Sequence, residues 1–397
     1  MKKVIIIGGG AAGMAAAVFA AEAGLTVELF EKNEKLGKKL YITGKGRCNF
    51  TNVCTPDEFL ENVVSNPKFM YSSISRFTSR DAVALFERLG LRTKTERGRR
   101  AFPASDHSSD VIKVLAGRMK TLGVKARLNT EIRECPMPDE NTAVIVATGG
   151  LSYPSTGSTG DGYRFAERTG HRVSKTFPAL VPLITKEGFV PEMQGLSLKN
   201  VRLTFKKGKK KLFSEFGELL FTHCGISGPL ALSASSFLTR ILSEEELTAE
   251  LDLKPALQDE QIRARLLREK ESSPERSFKN MMGALLPSKM VPVFVKQTGI
   301  DPDRKAKSLD GGWLDKTAGL LRSFRFTVTA AAPYTEAVIT QGGVSVKDID
   351  PKTMESRVIP GLYFAGEVLD VDALTGGYNL QIAWSTAFAA ASAIAEK

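Results

Sequence analysis

Val4-Ile5-Ile6-Ile7-Gly8-Gly9-Gly10-Ala11-Ala12-Gly13 reads as a buried strand running straight into a glycine-rich turn. Four consecutive apolar residues suit a parallel strand covered on both faces. An alanine-rich helix then runs to about Glu22, and Gly24 closes it. A second strand, Thr26 to Phe30, ends at Glu31. Within Gly8-x-Gly10-x-x-Gly13 each glycine has its own task. Gly8 makes the tight turn, Gly10 lets a pyrophosphate approach the backbone, and Gly13 lets helix pack close on strand. The helix start at Ala11 and Ala12 offers free N–H groups and a positive dipole end to phosphates. Glu31 lies 18 positions after Gly13. There a carboxylate accepts hydrogen bonds from ribose hydroxyls and repels a 2′-phosphate. A glycine fingerprint alone is a weak signal. Between a strand and a helix, with an acid at this distance, it predicts a dinucleotide site.

Two later segments choose between dinucleotides. Ala143 to Ala147 reads as another buried strand, ending in Thr148-Gly149-Gly150. Gly361-Leu362-Tyr363-Phe364-Ala365-Gly366-Glu367 reads as a strand ending in glycine and acid. Thr375-Gly376-Gly377-Tyr378-Asn379 then opens a helix to about Ala395. A helix N-terminus at a flavin pyrimidine stabilises negative charge on the reduced ring. Enzymes that hold extended FAD need such a distant return, and NAD enzymes do not. A second strand–G-x-G-x-x-G–helix unit is not found, so NAD(P)H is expected only as a transient electron donor.

Composition sets the bounds. With 397 residues, two or three domains are expected. Charged residues at 25% and hydrophobic residues at 42% are ordinary for a globular protein. Lys2-Lys3 and the apolar run to Ala21 resemble a secretion signal, but Gly8–Gly10 interrupt the run and a strand follows. No other run is long enough to span a bilayer, so a cytoplasmic protein without a membrane partner is expected. The four cysteines form no C-x-x-C pair and no zinc spacing, which argues against a disulfide framework and a metal site. The net charge of +11 attracts phosphate-rich partners, nucleic acid or an anionic cofactor, and equally serves as a solubilising surface.

Five longer segments carry a family resemblance. They are Leu36-Gly37-Lys38-Lys39 with Thr43-Gly44-Lys45-Gly46-Arg47-Cys48-Asn49; Gly149 through Tyr163; Thr222-His223-Cys224-Gly225-Ile226-Ser227-Gly228-Pro229; Pro351-Lys352-Thr353-Met354-Glu355-Ser356; and Gly366 through Asn379. The sequence resembles the bacterial FAD-dependent oxidoreductases of the aminoacetone-oxidase-like, bile-acid-reductase-like group, distant relatives of the glutathione-reductase fold. The resemblance implies an α/β protein: a Rossmann-like FAD-binding domain with an inserted β-rich domain that itself carries a small helical domain. The implied spans are 1–189 and 342–397 for FAD, 190–254 and 321–341 for the β-rich part, and 255–320 for the helices. With the fingerprint and Glu31, the candidate cofactor residues are Thr148, Gly149, Gly150, Gly366, Glu367, Gly376, Gly377, Tyr378 and Asn379 from the strand ends and the C-terminal return, and Lys32, Lys39, Gly44, Gly46, Arg47, Cys48 and Asn49.

The insertion also has local support. Val201–Phe205 and Leu212–Phe216 flank the lysine-rich Lys206–Lys211 and read as a hairpin. Asp259–Glu271 and Asn280–Leu286 are helical in pattern, and Arg322–Ala330 returns to strand character.

Candidate catalytic residues are Cys48, Tyr378 and Tyr153. Cys48 and Cys54 are too badly spaced for a helical dithiol, so Cys48 is either a proton donor or a small residue supporting its loop. Each tyrosine is an acid, a stacking partner or packing. Gly157–Gly162 is a phosphate loop or a tight crossover. His223 is either a catalytic group or support for a turn that caps a helix, with Pro229 at its first position. Arg97, Arg99 and Arg100 beside Phe102 suit phosphate and base contacts, or form a plain surface loop, and the lysine tip has the same two readings.

The leading expectation is a flavin-dependent reductase of an activated carbon–carbon double bond, in a small-molecule enone or in uracil of ribosomal RNA, with no obligate protein partner. The alternatives are an amine oxidase that uses oxygen, and an RNA-binding or assembly protein in which FAD is structural.

Overall fold

The computed structural model describes residues 2–397, which fold as two compact units. The first runs through Ala179 and resumes at Pro333; the second is Leu180–Ala332.

A five-stranded parallel sheet organises the first unit. Its strands are β1 (Lys3–Ile7), β2 (Thr26–Phe30), β3 (Lys125–Arg127), β4 (Thr142–Val146) and β5 (Leu362–Phe364), in the order β5-β4-β1-β2-β3. Register aligns their C-terminal ends. Ile7 lies opposite both Phe30 and Val146, Phe364 opposite Val146, and Arg127 opposite Phe30. Gly8, Glu31, Ala147 and Ala365 therefore leave the sheet along one edge. The strand order reverses between β1 and β4, and in open α/β sheets such a crevice is where ligands bind.

Helices cover the sheet. α1 (Ala11–Glu22) and α3 (Tyr378–Ala395) pack along one another, and their many alanines allow close approach. α2 (Asp161–Arg168) follows β4. The core runs from Val4, Ile6 and Leu29 through Val144 to Trp384, all fully buried. Thr51–Asn52, Thr93–Glu96 and Arg100–Pro103 form a small antiparallel sheet, and Phe177–Ala179 pairs with Ile339–Gln341.

The second unit is a closed six-stranded antiparallel barrel, so it leaves no open sheet edge. Alternation builds it: Leu203 and Phe205, Leu247, Ala249 and Leu251, and Phe324, Phe326 and Val328 point inward. The lysine-rich segment is a hairpin, with Ser197–Lys207 paired to Lys210–Phe221 around Gly208 and Lys209. Helices Asp259–Ser272, Phe278–Met282, Val291–Thr298 and Gly312–Arg322 follow. Ile262, Leu266, Phe294 and Trp313 share one apolar core with the barrel. The chain enters this unit at Leu180, ahead of the 189/190 boundary read from sequence, because Leu183–Thr185 is a barrel strand. It leaves at Ala332, ahead of 341/342, because Ile339–Gln341 pairs with Phe177–Ala179.

Gly13 tests the packing of α1 on β1. A Cβ there would stand 1.8 Å from the Gly8 carbonyl oxygen, so helix or turn would have to move. Gly13→Val is expected to lower stability by about 1–3 kcal/mol, measured by urea unfolding.

Candidate dinucleotide site

The three fingerprint glycines divide into two kinds. Gly8 and Gly13 are closed in: a Cβ on Gly8 would lie 2.5 Å from the Ala147 carbonyl oxygen, and one on Gly13 would meet Gly8. Gly10 instead has nothing within 4 Å of where its Cβ would stand. It is the N-cap of α1, makes no side-chain capping bond, and the first turn carries no acid. The open N–H groups beside Ala11 and Ala12 are thus free of competing side chains, as an anion site requires.

Glu31, 8% exposed, stands beside this turn. One oxygen accepts from the Gly9 N–H at 2.7 Å. The other accepts from the Asn33 N–H at 2.8 Å and its side-chain amide at 2.7 Å. A carboxylate offers about four acceptor directions, so three are used in bracing the glycine turn and one is left for a hydroxyl. The next residue, Lys32, donates to Thr159 at 2.6 Å and pairs with Asp161 at 2.7 Å. It fastens the Gly157–Gly162 loop, and that loop leads into α2.

A second polar cluster fixes the loop after β4. The Lys39 ammonium pairs with Glu367 at 2.6 Å and also donates to the Ser152 hydroxyl. Ser152, fully buried, donates to Glu367 at 2.8 Å, and Glu367 also accepts the Thr340 N–H at 2.9 Å. The Thr340 hydroxyl accepts the N–H groups of Leu151 and Ser152. Thr148, Gly149 and Gly150 enter this fastened loop. Thr340 was not anticipated, because its partners lie nearly 190 residues away and no local pattern announces them.

The Gly44–Asn49 loop is tightly wound. Gly44 and Lys45 are left-handed, as is Cys48 at φ 57°. Cys48 is fully buried beside Thr43, and burial pushes its thiol up to about 12. All four cysteines are free. Arg47 turns to Glu96 and Asp106 and lies 4.3 Å over the Phe102 ring. Arg99 is bound to Glu58, whose carboxyl it holds well below the usual range. Arg97 and Arg100 stay exposed at the tip of this hairpin.

At the other end of the chain Gly377 is the left-handed N-cap of α3. A Cβ there would stand 2.5 Å from the Thr51 carbonyl carbon. Asn379 ties the preceding loop, accepting from the Ala373 N–H at 2.9 Å and donating to its carbonyl at 2.7 Å. Gln381 bonds Thr51, and the Trp384 indole donates to Phe50. The first turn of α3 has neither a capping side chain nor an acid. Tyr378 is half-buried there, and burial raises its phenol. Tyr153 is half-buried in a left-handed turn, its N–H on the Tyr334 carbonyl. No hydrogen bond joins Cys48, Tyr153 and Tyr378. His223 lies in the turn before helix Gly228–Leu242, whose first turn holds Pro229.

The residues fit FAD. Gly10 leaves an open cradle, two helix N-termini are uncapped, and Asn49 Oδ1 and Thr148 Oγ1 are buried without a hydrogen-bond partner. Unpaired buried polar atoms are costly and call for a partner. No acid, histidine and cysteine cluster suited to a metal occurs among the described residues.

Glu31→Ala is expected to weaken FAD binding by on the order of 1–3 kcal/mol, since two backbone N–H groups also lose their acceptor. Fluorescence titration with FAD measures it, and unchanged affinity would remove Glu31 from the site. Cys48 gives a second expectation. Its raised pKa contributes stability that is present below the ordinary thiol value of 9.0 and is lost as the pH climbs toward about 12. At about pH 8, iodoacetamide should leave native Cys48 unmodified and label it in urea, as read by peptide mass spectrometry.

Comparison with known proteins agrees with this geometry. Residues 2–393 match the family described as HI0933-like protein Rossmann domain. A ribosomal RNA dihydrouridine synthase from Haemophilus influenzae is 34% identical over 99% of this chain and 98% of its own. A 3-dehydro-bile acid delta(4,6)-reductase from Clostridium scindens is 29% identical over the full length of both. Among solved structures, a 3-ketosteroid delta1-dehydrogenase from Sterolibacterium denitrificans superposes with a TM-score of 0.52 at 14% identity, covering both chains in full. That likeness speaks to the fold alone. Strand order, open cradle and full-length match agree, and the chain belongs to the HI0933-like Rossmann family of FAD-dependent oxidoreductases.

Proposed function

We propose that this protein reduces a carbon–carbon double bond conjugated to a carbonyl, with uracil in ribosomal RNA as the favoured acceptor. The observation that carries this reading is the end-to-end match at 34% identity to a relative named for dihydrouridine synthesis. The steroid-type relative at 29% has a different substrate but the same reacting group, an enone. The net charge of +11 favours the polyanion.

The residues divide the labour. Gly10 and the α1 N-terminus would hold the pyrophosphate and Glu31 the ribose, while the uncapped α3 N-terminus would face negative charge on the ring. When bound, FAD supplies the hydride that adds to the electron-poor carbon. The protein must then deliver a proton to the neighbouring carbon. Cys48, Tyr153 and Tyr378 are the candidate donors. Burial keeps the Cys48 thiol and the Tyr378 phenol protonated at neutral pH. Cys48 is fully enclosed, whereas Tyr378 keeps some exposure at the start of α3, so Tyr378 is the proposed acid. NAD(P)H is the proposed electron donor, docking transiently. The described residues contain one parallel Rossmann sheet, and their other sheets are antiparallel.

The test is anaerobic. Reduced holoprotein mixed with unmodified ribosomal RNA or a steroid enone should recover oxidised-flavin absorbance faster than the same protein mixed with oxygen. Tyr378→Phe should slow that recovery by roughly 10²–10⁴-fold and leave flavin reduction by NAD(P)H unchanged. If neither alkene reoxidises the flavin while air does so within seconds, the amine-oxidase reading replaces this one. If nothing turns over and FAD stays bound, its role is structural.

A further inference from the structure

The barrel hairpin presents an unusual outer face. Leu203, Phe205 and Phe213 point into the barrel, so the alternate residues point out. Cross-strand register pairs Arg202 with Phe216 and Thr204 with Ser214, and across a register shift between Phe205 and Lys206 it pairs Lys206 with Lys211. The Thr204 and Ser214 hydroxyls bond at 2.9 Å, which places the middle pair on one face. Phe216 is 53% exposed on this face, a large ring left in solvent. Arg202 stands directly beside it and is also exposed.

Charge along the face is sorted. Lys206 is paired with Glu250 at 2.5 Å, and Lys207 is bound to Glu245. Glu250 is further neutralised by Arg325, and Asp252 by Arg322. Lys209, Lys210 and Lys211 at the tip and Arg202 beside Phe216 are exposed and lack an ion-pair partner. Glu218, two residues past Phe216 and exposed, ends the basic stretch. The five residue steps from Lys211 to Phe216 span at most roughly 17 Å.

We propose that this outer face binds single-stranded RNA, with Phe216 stacking on a base and Arg202 and Lys209–Lys211 holding the phosphates on either side. An exposed ring on a sheet, flanked by unpaired cations, is the combination that binds single strands: the ring takes the base and the cations take the backbone. A single strand offers a base face to the ring and phosphates to the cations at regular spacing, and that double complementarity selects this occupant. The proposal rests on the RNA-reductase reading for its substrate, but it concerns binding and can fail separately.

The probe is a fluorescein-labelled, uridine-containing single-stranded RNA, titrated by anisotropy into full-length holoprotein at several salt concentrations. Replacing Lys209, Lys210 and Lys211 by alanine should make the log–log salt slope shallower by roughly 2, at about 0.7 per lost phosphate contact. Phe216→Ala should weaken binding by roughly tenfold with the slope unchanged. FAD content and the urea midpoint should match the parent in both variants, so a loss of affinity cannot come from unfolding. The inference is overturned if the parent does not bind the RNA, if both variants bind it as the parent does, or if only binding to phosphatidylserine vesicles is lost. Altered RNA binding without flavin reoxidation by RNA would keep this face and sink RNA as the acceptor of the reductase reading. Reoxidation by RNA with unaltered binding in the variants would do the reverse.

Discussion

Gly13 lacks a Cβ because the Gly8 carbonyl oxygen occupies the place one would take, 1.8 Å away. That contact seats α1 on the end of β1, and much of the site follows from it. With the helix pressed against the turn, its N-terminus meets the C-terminal edge of the sheet. The register of the parallel strands brings Glu31, Ala147 and Ala365 to the same edge. Gly10 is left as the one fingerprint glycine that faces open space. A rigid scaffold thus presents a small set of oriented donors, which is how a loop-built site gains precision.

The loops around that edge are held by polar networks, unlike the apolar packing beneath them. Lys39 and Glu367, each about a fifth exposed, come from segments 328 residues apart. Taking such a pair partly out of water costs free energy that their attraction alone does not reliably offset. Here Ser152 and the Thr340 N–H complete the shell of Glu367. Removing either Lys39 or Glu367 would leave the other charge uncompensated. Lys32 with Asp161 and Thr159 fastens the glycine-rich loop before α2. The two clusters make the loops of the first unit part of its fixed framework.

The second unit obeys different rules. A closed antiparallel barrel needs only period-two alternation and turns, and its helices complete the same apolar core. Its inside is filled by side chains, and Phe216 and Arg202 stand exposed on its outer face.

Much of this was legible in the residues. The β1–turn–α1–β2 unit, β4, β5 and the terminal helix appear where the pattern put them, because buried parallel strands are short apolar runs and glycines mark the turns between them. The lysine hairpin appears for the same local reason. The helices Ser79–Arg88 and Ser108–Thr121 went unread, although Thr78 and Asp81 form a capping box that signals the first. Lys39 and Arg47 entered through the resemblance, Glu367 and Asn379 through the C-terminal strand and helix pattern, and neither route could say what each touches. Tertiary structure decided that. It turned Arg47 onto Glu96, Asp106 and Phe102, joined Lys39 to Glu367, enclosed Cys48, and introduced Thr340, which no motif marked. Secondary structure follows from neighbours along the chain, so a sequence determines it directly. Hydrogen bonds and burial link groups hundreds of residues apart, and only the packed chain brings those groups within reach.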